Sequence, residues 1–269
     1  MLGYYSKLSS EVYDLDKPIG SSFGDVEYYA ERLATCSGPV LEPAVGTGRM
    51  LIPLLEQGFD VDGFDMSTEM LEICWTNCGE RGLDPLVFEA SMETFESERD
   101  YGAIIIPTGT FLLMHERKAS VQALHNFFAH LLDGGKLIVD LMLPGNIELH
   151  QENVRSWTTP KGEIITVESK KVEVDWVNQY SIGQNRYEKW RTGSLVDTEL
   201  ERIPIRWYGV EEFRELLEKC GFTDITVSAD YEYGKAPSRP GQTITFEAVA
   251  NKSGGEHAGE KLIHQADEE

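Results

Sequence analysis

Long apolar segments are missing from this chain of 269 residues. No uninterrupted apolar run is longer than Ala103 to Ile106, whereas a helix needs about 20 apolar residues to cross a bilayer. The first residues are polar and rich in tyrosine, and they lack the apolar core of a signal peptide. We therefore expect a soluble, cytoplasmic protein with no membrane partner.

Basic residues are also scarce. The chain has 24 lysines and arginines against 46 aspartates and glutamates, which gives a formal net charge of −22. A protein that binds the backbone of a nucleic acid presents a cationic surface. The charge balance therefore argues against nucleic acid as a partner, and solubility is its main expected consequence.

Metal and disulfide patterns are absent from the sequence as well. The four cysteines form no C-x-x-C pair and have no histidine cluster beside them; they are Cys36, Cys74, Cys78 and Cys220. Cysteines of this kind are mostly reduced and buried in proteins of a reducing compartment. We expect free thiols and no metal site.

A strand, a glycine turn and a helix start follow one another at residues 39–50, which read P-V-L-E-P-A-V-G-T-G-R-M. Gly46 and Gly48 leave the turn without side chains, so that it forms a cradle for a polar or anionic ligand. The dinucleotide fingerprint needs a small residue three positions after its second glycine, and this chain has Leu51 there. That departure disfavours a nicotinamide or flavin enzyme, and the lack of a G-K-[ST] sequence excludes a P-loop.

A second strand is predicted over residues 59–65, and it ends in Asp65. Asp65 lies about 20 residues beyond the glycine turn, the spacing at which an acid accepts hydrogen bonds from ribose hydroxyls. Ser67 or Thr68 then provides an N-cap for the next helix. The two motifs together predict a site for a ligand that contains ribose.

Residues 40–49 and 61–71 together resemble the class I methyltransferases that use S-adenosylmethionine, and the resemblance extends over residues 10–250. It implies S-adenosyl-L-methionine as the cofactor and a small molecule as the methyl acceptor. The paired motifs are specific for the cofactor and hardly specific for the acceptor.

The resemblance also implies roles for individual residues. Glu42 would orient either the methionine amino group or the junction between strand and turn. The two turn glycines would let the backbone approach the cofactor, and Asp65 would take the ribose hydroxyls. The complete implied set of cofactor-binding residues is Glu42, Ala44, Gly46, Gly48, Arg49, Asp65, Met66, Met70, Ser91, Met92, Glu93, Pro107 and Thr108.

Two positions depart from the pattern of the family. Ser91 stands where family members commonly place an acid on the adenine amino group, and a serine accepts such a bond more weakly. Met92 beside it would pack on the adenine ring. Gly102 stands at another position where the family often has an acid. These departures concern the adenine contacts and not the fold.

Candidates for the chemistry follow a central strand. His115 comes after the carboxyl end of the predicted fourth strand, where open α/β sheets bind ligands, and it is the histidine best placed to move a proton. The resemblance makes Tyr13 a lid residue over the cofactor and, with His115, a candidate catalytic residue at the acceptor. A solvated histidine and a tyrosine packed on the core are the structural alternatives. The candidate acceptor contacts are Thr110, Phe111, Trp157, Arg206 and Tyr208.

The alternation of strands and helices up to residue 142 predicts a parallel, doubly wound sheet. The helix before the fifth strand is predicted to end at Leu132. Asp133 to Gly135 then close this helix, and the fifth strand is predicted to begin at Lys136. Residues 163–175, 178–191 and 194–206 alternate polar and apolar with period two, which predicts a three-stranded antiparallel insertion.

We therefore predict an α/β fold with a doubly wound, mostly parallel, seven-stranded Rossmann-like sheet and an inserted antiparallel β cap. The expected organisation is a lid and first helix at 1–38, a cofactor-binding domain at 39–150 and 207–250, the cap at 151–206, and a disordered acidic tail at 251–269.

The activity that the resemblance implies is methyl transfer to oxygen or nitrogen of a small molecule. Such a transfer is an in-line displacement in which the protein aligns the reactants and excludes water. A base is needed only if the acceptor arrives protonated. A protein or RNA methyltransferase of the same fold, a non-catalytic cofactor-binding module and an NAD-dependent oxidoreductase stay open as alternatives, and the sequence assigns no oligomeric state.

Overall fold

Residues 5–252, the part of the chain that this computed structural model describes, form two β-sheets with helices around the larger one. The helices are α1 (Lys7–Asp16), α2 (Asp25–Leu33), α3 (Leu51–Glu56), α4 (Thr68–Gly79), α5 (Arg117–His130) and α6 (Val210–Lys219). The strands of the larger sheet are β1 (Val40–Pro43), β2 (Val61–Asp65), β3 (Val87–Glu89), β4 (Tyr101–Ile106), β5 (Leu131–Met142), β10 (Phe222–Ala229) and β11 (Thr243–Ala250). The smaller sheet contains β6 (Asn153–Thr158), β7 (Ile164–Asp175), β8 (Tyr180–Arg191) and β9 (Ser194–Arg206).

The larger sheet has the strand order β10-β11-β5-β4-β1-β2-β3. β1 pairs in parallel with both β2 and β4, so the chain runs outward in two directions from the centre of the sheet. β11 is antiparallel to both of its neighbours. The predicted fold class is confirmed. The change of direction beside β1 opens a crevice at the carboxyl ends of the strands, where such sheets bind ligands.

The central strand β4 is buried along its whole length, as expected of a strand covered on both faces. Its second residue, Gly102, explains one departure from the family pattern. A Cβ atom on Gly102 would lie 1.9 Å from the carbonyl oxygen of Ser37, because the chain before β1 crosses directly over it. No side chain fits there, and an acid at this position would displace the neighbouring backbone.

The boundary between α5 and β5 differs from its prediction. The helix ends at His130 and the strand begins at Leu131, so the predicted helix end at Leu132 and strand start at Lys136 are wrong. Leu131 pairs with Tyr101, and the register then shifts before the next pair. Gly134, with a φ of +78°, allows this bulge. Glycines that are typical of a helix end therefore lie within a strand here.

The smaller sheet is antiparallel throughout and has one strand more than predicted. The additional strand, β6, is almost entirely exposed, so its sequence lacks the period-two pattern of a half-buried strand. The predicted tail at 251–269 lies outside the described residues from 253 onward.

Helix α1 packs on one face of the smaller sheet. Leu8 and Val12 of the helix form a buried cluster with Ile165, Val167 and Tyr187 of the sheet. The N-terminal segment is therefore attached to the inserted sheet by a small core of its own.

Carboxylates from β9 complete this attachment at the start of α1. Glu199 Oε2 accepts hydrogen bonds from the Leu8 N–H and the Ser6 hydroxyl, both at 2.8 Å. Glu201 Oε1 accepts from the Ser9 hydroxyl at 2.6 Å and from the Ser6 N–H at 3.1 Å. The first N–H groups of a helix have no partner within it and attract negative charge. Strand β9 of the inserted sheet thus supplies the N-terminal capping groups of α1.

Within residues 5–252, no helix is long and apolar enough to cross a membrane. The same residues contain no group of three histidines, cysteines or acids arranged to hold a metal ion. All four cysteines are free, and Cys74, Cys78 and Cys220 are buried.

We expect the double substitution Glu199→Ala with Glu201→Ala to release the start of α1. Loss of the capping bonds should lower the free energy of unfolding by about 1–2 kcal/mol and raise amide exchange across Lys7–Asp16. Hydrogen–deuterium exchange followed by mass spectrometry measures the effect. Glu173→Ala on β7 is the control, because its carboxylate is exposed and contacts Arg202 at 3.4 Å. Unchanged exchange in α1 would contradict the capping role.

Candidate active site

A pocket with a volume of about 420 Å³ lies at the carboxyl ends of the parallel strands. Segments that follow β1, β2, β3 and β4 supply its floor and walls, while the N-terminal segment and the cap cover it. Its lining residues are Tyr5, Tyr13, Lys17, Ala44, Gly46, Phe64, Asp65, Met66, Ser67, Met70, Ala90, Met92, Glu93, Thr108, Gly109, Thr110, Leu113, Met114, His115, Glu116, Ala119 and Ile205. Volume and lining are typical of a small-molecule site.

The glycine turn after β1 uses its two glycines differently. Gly46 lies on the pocket wall with a φ of +57°. Gly48 has a φ of +89°, and a Cβ atom there would lie 3.1 Å from the sulfur of Cys74 and from Ile52. Gly46 therefore lets the backbone approach a ligand, whereas Gly48 lets α3 and α4 pack closely.

Asp65, at the end of β2, is held by the backbone on two sides. Its Oδ2 accepts the N–H of Gly46 and its Oδ1 accepts the N–H of Ser67, both at 2.9 Å. Burial raises the pKa of Asp65, and these N–H bonds oppose the shift. A carboxylate has about four acceptor positions, so two remain for hydroxyl donors of a ligand in the pocket.

Glu42 lies beneath the glycine turn and is almost fully buried. Burial raises its pKa well above the usual range, and the nearby Arg49 only partly opposes the shift. Among the described residues, its Oε2 atom has no hydrogen-bond partner. A buried acceptor without a donor is unfavourable, so this atom suits a ligand that brings an N–H or O–H group.

Arg49 lies behind the wall and clamps the N-terminal segment to the turn. Its guanidinium donates to Asp25 at 2.5 Å and to the Ser21 carbonyl at 3.1 Å, and both charged side chains are buried. Burial by itself would raise the pKa of Asp25, but the bond from Arg49 lowers it below its ordinary value. The guanidinium of Arg49 is thus engaged in an ion pair within the protein.

The N-terminal segment covers the pocket with two tyrosines. The rings of Tyr5 and Tyr13 meet edge to face, with centroids 5.8 Å apart, and the Tyr5 carbonyl accepts the hydroxyl of Ser67 at 2.7 Å. Lys17 places its Nζ 4.7 Å from the centre of the Tyr13 ring. Burial raises the pKa of both phenols and lowers the pKa of Lys17.

His115 lies at the mouth of the pocket, where the cap meets the segment after β4. Its Nε2 is 3.3 Å from the carboxylate of Glu116, and its ring packs edge to face on Tyr180. Arg206 at the end of β9 donates to the His115 carbonyl at 2.7 Å. The cap therefore fixes the position of this histidine.

The pocket brings together most of the residues that the sequence singles out. Of the implied cofactor set, the wall contains Ala44, Gly46, Asp65, Met66, Met70, Met92, Glu93 and Thr108. The wall also contains Tyr13, His115 and Thr110. Glu42, Gly48, Arg49, Ser91 and Pro107 lie behind it or beside it, and the Ser91 hydroxyl pairs with that of Thr94 at 2.8 Å.

Four of the five predicted acceptor contacts lie elsewhere. Phe111 and Tyr208 are buried in the main core, and the Tyr208 hydroxyl pairs with that of Ser120. Trp157 packs at α1 and donates its indole N–H to Asp16 at 3.2 Å. Arg206 supports the backbone of the pocket mouth and is not on the wall. Of the five predicted acceptor contacts, Thr110 therefore lies on the pocket wall and the other four do not.

Several wall residues have no assigned role in the sequence. Ser67 is identified there as an N-cap, and its side chain does accept the Met70 N–H at 3.1 Å. The others without an assigned role are Tyr5, Lys17, Phe64, Ala90, Gly109, Leu113, Met114, Glu116, Ala119 and Ile205. Met114 and Glu116 are sequence neighbours of His115, so the prediction of His115 could have been extended to include them. Lys17 and Ile205 reach the pocket through tertiary packing and carry no local signal.

Asp140 on β5 lies directly behind the wall residue Thr108. It is fully buried, and it accepts hydrogen bonds from the Thr108 N–H at 2.8 Å, the Thr245 hydroxyl at 2.7 Å and the Tyr231 hydroxyl at 2.9 Å. Burial raises the pKa of Asp140 to about 6, and these donors limit the shift.

We expect Asp140→Asn to remove one pH dependence of stability. The folded carboxyl binds its proton more tightly than the unfolded one, so its stabilisation is complete below about pH 4 and is lost as pH rises through about 6. The free energy of unfolding of the variant should therefore gain about 3 kcal/mol relative to wild type between about pH 4 and pH 7. Urea titrations at several pH values measure this. A constant difference between the two proteins would contradict the raised pKa.

Comparison with known proteins places these features in context. Residues 40–135 match a family model described as a methyltransferase domain. The Bacillus subtilis (strain 168) protein YqeM, which carries a provisional methyltransferase name, is 24% identical over 226 residues, covering 80% of this chain and 85% of that protein.

Two further relatives have more specific names. The glycine/sarcosine N-methyltransferase of Parasynechococcus marenigrum (strain WH8102) is 28% identical over 197 residues, covering 72% of this chain and 66% of that protein. The structure of the sugar N-methyltransferase KedS8 from Streptoalloteichus sp ATCC 53650 superposes with a TM-score of 0.71 at 18% identity, covering 93% of this chain and 95% of that one. The structural likeness establishes a shared fold.

Proposed function

We propose that this chain, whose residues 40–135 match a methyltransferase domain, transfers a methyl group from S-adenosylmethionine to the nitrogen atom of a small amine. S-adenosyl-L-methionine, the cofactor of the family, supplies an electrophilic methyl group when it is bound. The observation that carries the proposal is the covered pocket, whose floor presents acceptors that still need donors.

The residues of the pocket fit that cofactor. The two open acceptor positions of Asp65 suit a pair of ribose hydroxyls. The Oε2 atom of Glu42, which lacks a donor among the described residues, suits the amino group of the methionine part. The side chains of Met70 and Met92 provide apolar surface for the adenine ring. This assignment matches the ribose hydroxyls and the amino group of the cofactor with buried acceptors of the protein.

The cover over the pocket favours a small molecule as the acceptor. Tyr5 and Tyr13 close it from the N-terminal segment, and Ile205 closes it from the cap. A cavity of about 420 Å³ suits a cofactor with a small partner and not a folded macromolecule. The net charge of −22 also opposes RNA, because phosphate contacts need cationic surface.

Two carboxylates on the wall favour nitrogen as the acceptor atom. Glu93 and Glu116 line the pocket, and Glu93 forms no ion pair within residues 5–252. An amine arrives as a cation, which these charges attract. After it loses its proton, its lone pair attacks without further activation, whereas a hydroxyl needs a base during the reaction. His115 beside Glu116 is the group placed to accept that proton.

We expect Asp65→Asn to weaken binding of S-adenosylhomocysteine by about tenfold to a hundredfold, because each bond to a charged acceptor contributes about 1.5–3 kcal/mol. Isothermal titration calorimetry measures the change. Asp62→Asn is the matched control, since Asp62 is a buried acid on the same strand that pairs with Arg99 away from the pocket. Equal affinity in Asp65→Asn and wild type would count against the ribose contact.

We expect methyl transfer to appear first with primary and secondary amines when the protein is assayed against matched sets of small amines, alcohols and phenols. With the best amine, Glu116→Gln should raise KM by about tenfold through loss of one attractive charge, with a smaller change in kcat. Glu96→Gln, an exposed acid outside the pocket, is the control. Formation of S-adenosylhomocysteine is the readout.

The outcomes separate the alternatives. Turnover of hydroxyl compounds with no amine turned over would overturn the choice of nitrogen and leave an O-methyltransferase. Tight cofactor binding with no turnover of any small acceptor would favour a macromolecular acceptor or a non-catalytic module. Binding of NADH in place of S-adenosylhomocysteine would reject the proposed function itself.

A further inference from the structure

The wall of the pocket after β4 contains a strained turn. Thr108 has a φ of +55° and Gly109 a φ of +74°, so two consecutive residues are left-handed. This conformation is uncommon for a residue with a Cβ atom, and more so for one that is β-branched. Such a residue keeps this conformation only where surrounding contacts hold it. Both residues line the pocket, so what holds them also shapes the ligand site.

Asp140 supplies the contact that holds this turn from behind. The N–H of Thr108 donates to Asp140 Oδ2 at 2.8 Å, and a bond to a charged oxygen is stronger than one between neutral groups. A Cβ atom on Gly109 would meet Met142 of the same strand at 3.3 Å, so the turn also packs closely on β5. The backbone of the wall therefore depends on one side chain of a neighbouring strand.

Asp140 is itself fixed by donors from other elements. Thr245 of β11, its direct cross-strand partner, donates to Oδ1 at 2.7 Å. Tyr231, in the loop after β10, donates to Oδ2 at 2.9 Å. The hydroxyl of Tyr29 on α2 also lies near the carboxylate but has no hydrogen-bond partner within the described residues. Asp140 forms no ion pair with any cation of the described chain, and a buried carboxylate without a cation reduces stability unless donors compensate.

The loop that carries Tyr231 is strained as well. Asp230 and Tyr231 are consecutive residues with φ of +53° and +59°, and Gln242 donates to Asp230 at 2.6 Å to hold the loop in place. Two segments with left-handed backbone conformation therefore each donate a hydrogen bond to the carboxylate of Asp140. An apolar residue on β5 would fill this space at lower cost in stability, so the arrangement points to a task other than packing.

We propose that Asp140 is a positioning residue for methyl transfer, which fixes the backbone of Thr108 and Gly109 so that the pocket wall is formed before the ligand binds. The part of this inference that concerns the ligand rests on the proposed function. The part that concerns the wall does not, because it describes the free protein.

The first test measures the wall in the free protein. In Asp140→Val, the Thr108 N–H loses its acceptor, and we expect amide exchange in the peptide that spans residues 107–114 to rise by about tenfold or more. Asp140→Asn keeps a carbonyl oxygen that reaches the same N–H, so it should retain most of the protection. This rescue by the conservative variant separates the acceptor role from simple packing.

Thr245→Val is the control for general weakening of the sheet. It removes the bond to the other oxygen of Asp140 and leaves the bond from Thr108 in place. Its exchange should change near β11 and not in residues 107–114. Equal exchange of the wall peptide in Asp140→Val and wild type would overturn the proposal, and so would a uniform rise across both sheets.

The second test measures S-adenosylhomocysteine binding by calorimetry in the same proteins. We expect a loss of affinity of about tenfold in Asp140→Val and less than about threefold in Asp140→Asn and Thr245→Val. A mobile wall with unchanged affinity would overturn the link between Asp140 and the ligand site. A wild-type protein that binds no S-adenosylhomocysteine would reject the proposed function instead, and the exchange experiment would still decide whether Asp140 fixes the wall.

Discussion

The two hydrogen bonds that Asp65 accepts from the backbone hold the floor of the pocket together. Its carboxylate joins the N–H of Gly46, in the turn after β1, to the N–H of Ser67 at the start of α4. Because these segments follow adjacent parallel strands, the carboxylate extends the link between them beyond the last backbone pair of β1 and β2. Burial strengthens the bonds, since a hydrogen bond is electrostatically stronger at a low local dielectric. A ligand therefore meets an acceptor that is oriented before binding, and little of the binding free energy is lost in ordering it.

Buried carboxylates in this protein divide into two groups by their partners. Asp25 and Asp62 each pair with an arginine, and both lie away from the pocket wall. Glu42, Asp65 and Asp140 lie at or behind the pocket, and none of them forms an ion pair within residues 5–252. Burial raises the pKa of all three. A buried charge without a cation reduces stability, and a ligand that brings donors recovers part of that cost at Glu42 and Asp65. Glu201, another buried carboxylate without an ion pair in the described chain, lies away from the pocket and accepts hydrogen bonds at the start of α1 instead.

Local sequence patterns predict one side of the pocket and miss the other. The glycine turn and Asp65 belong to one strand–turn–helix unit, whose geometry is local, so their spacing in the sequence is sufficient to find them. Lys17 and Ile205 reach the wall from the lid and the cap, and only tertiary packing brings them together. Phe111 and Tyr208 lie in the core and not on the pocket wall, and the sequence does not distinguish the two places because an aromatic residue near a strand end has the same local pattern in both. In the fold, the alternation of strands and helices along the chain predicts the seven-stranded sheet. The exposed strand β6 is not predicted, because its sequence lacks the period-two pattern of a half-buried strand.

The cover of the pocket depends on β9 at two separate points. Near its middle, Glu199 and Glu201 hold the start of α1, the helix that carries Tyr13 onto the wall. At its end, Arg206 holds the carbonyl of His115 at the mouth. A displacement of this strand therefore changes the cover over the pocket and the mouth of the pocket together. Because the apolar contacts of α1 also belong to the cap, opening the lid alone means breaking both the capping bonds and a small core. Movement of α1 together with the inserted sheet would keep these contacts but would break the bond from Arg206 to the His115 carbonyl.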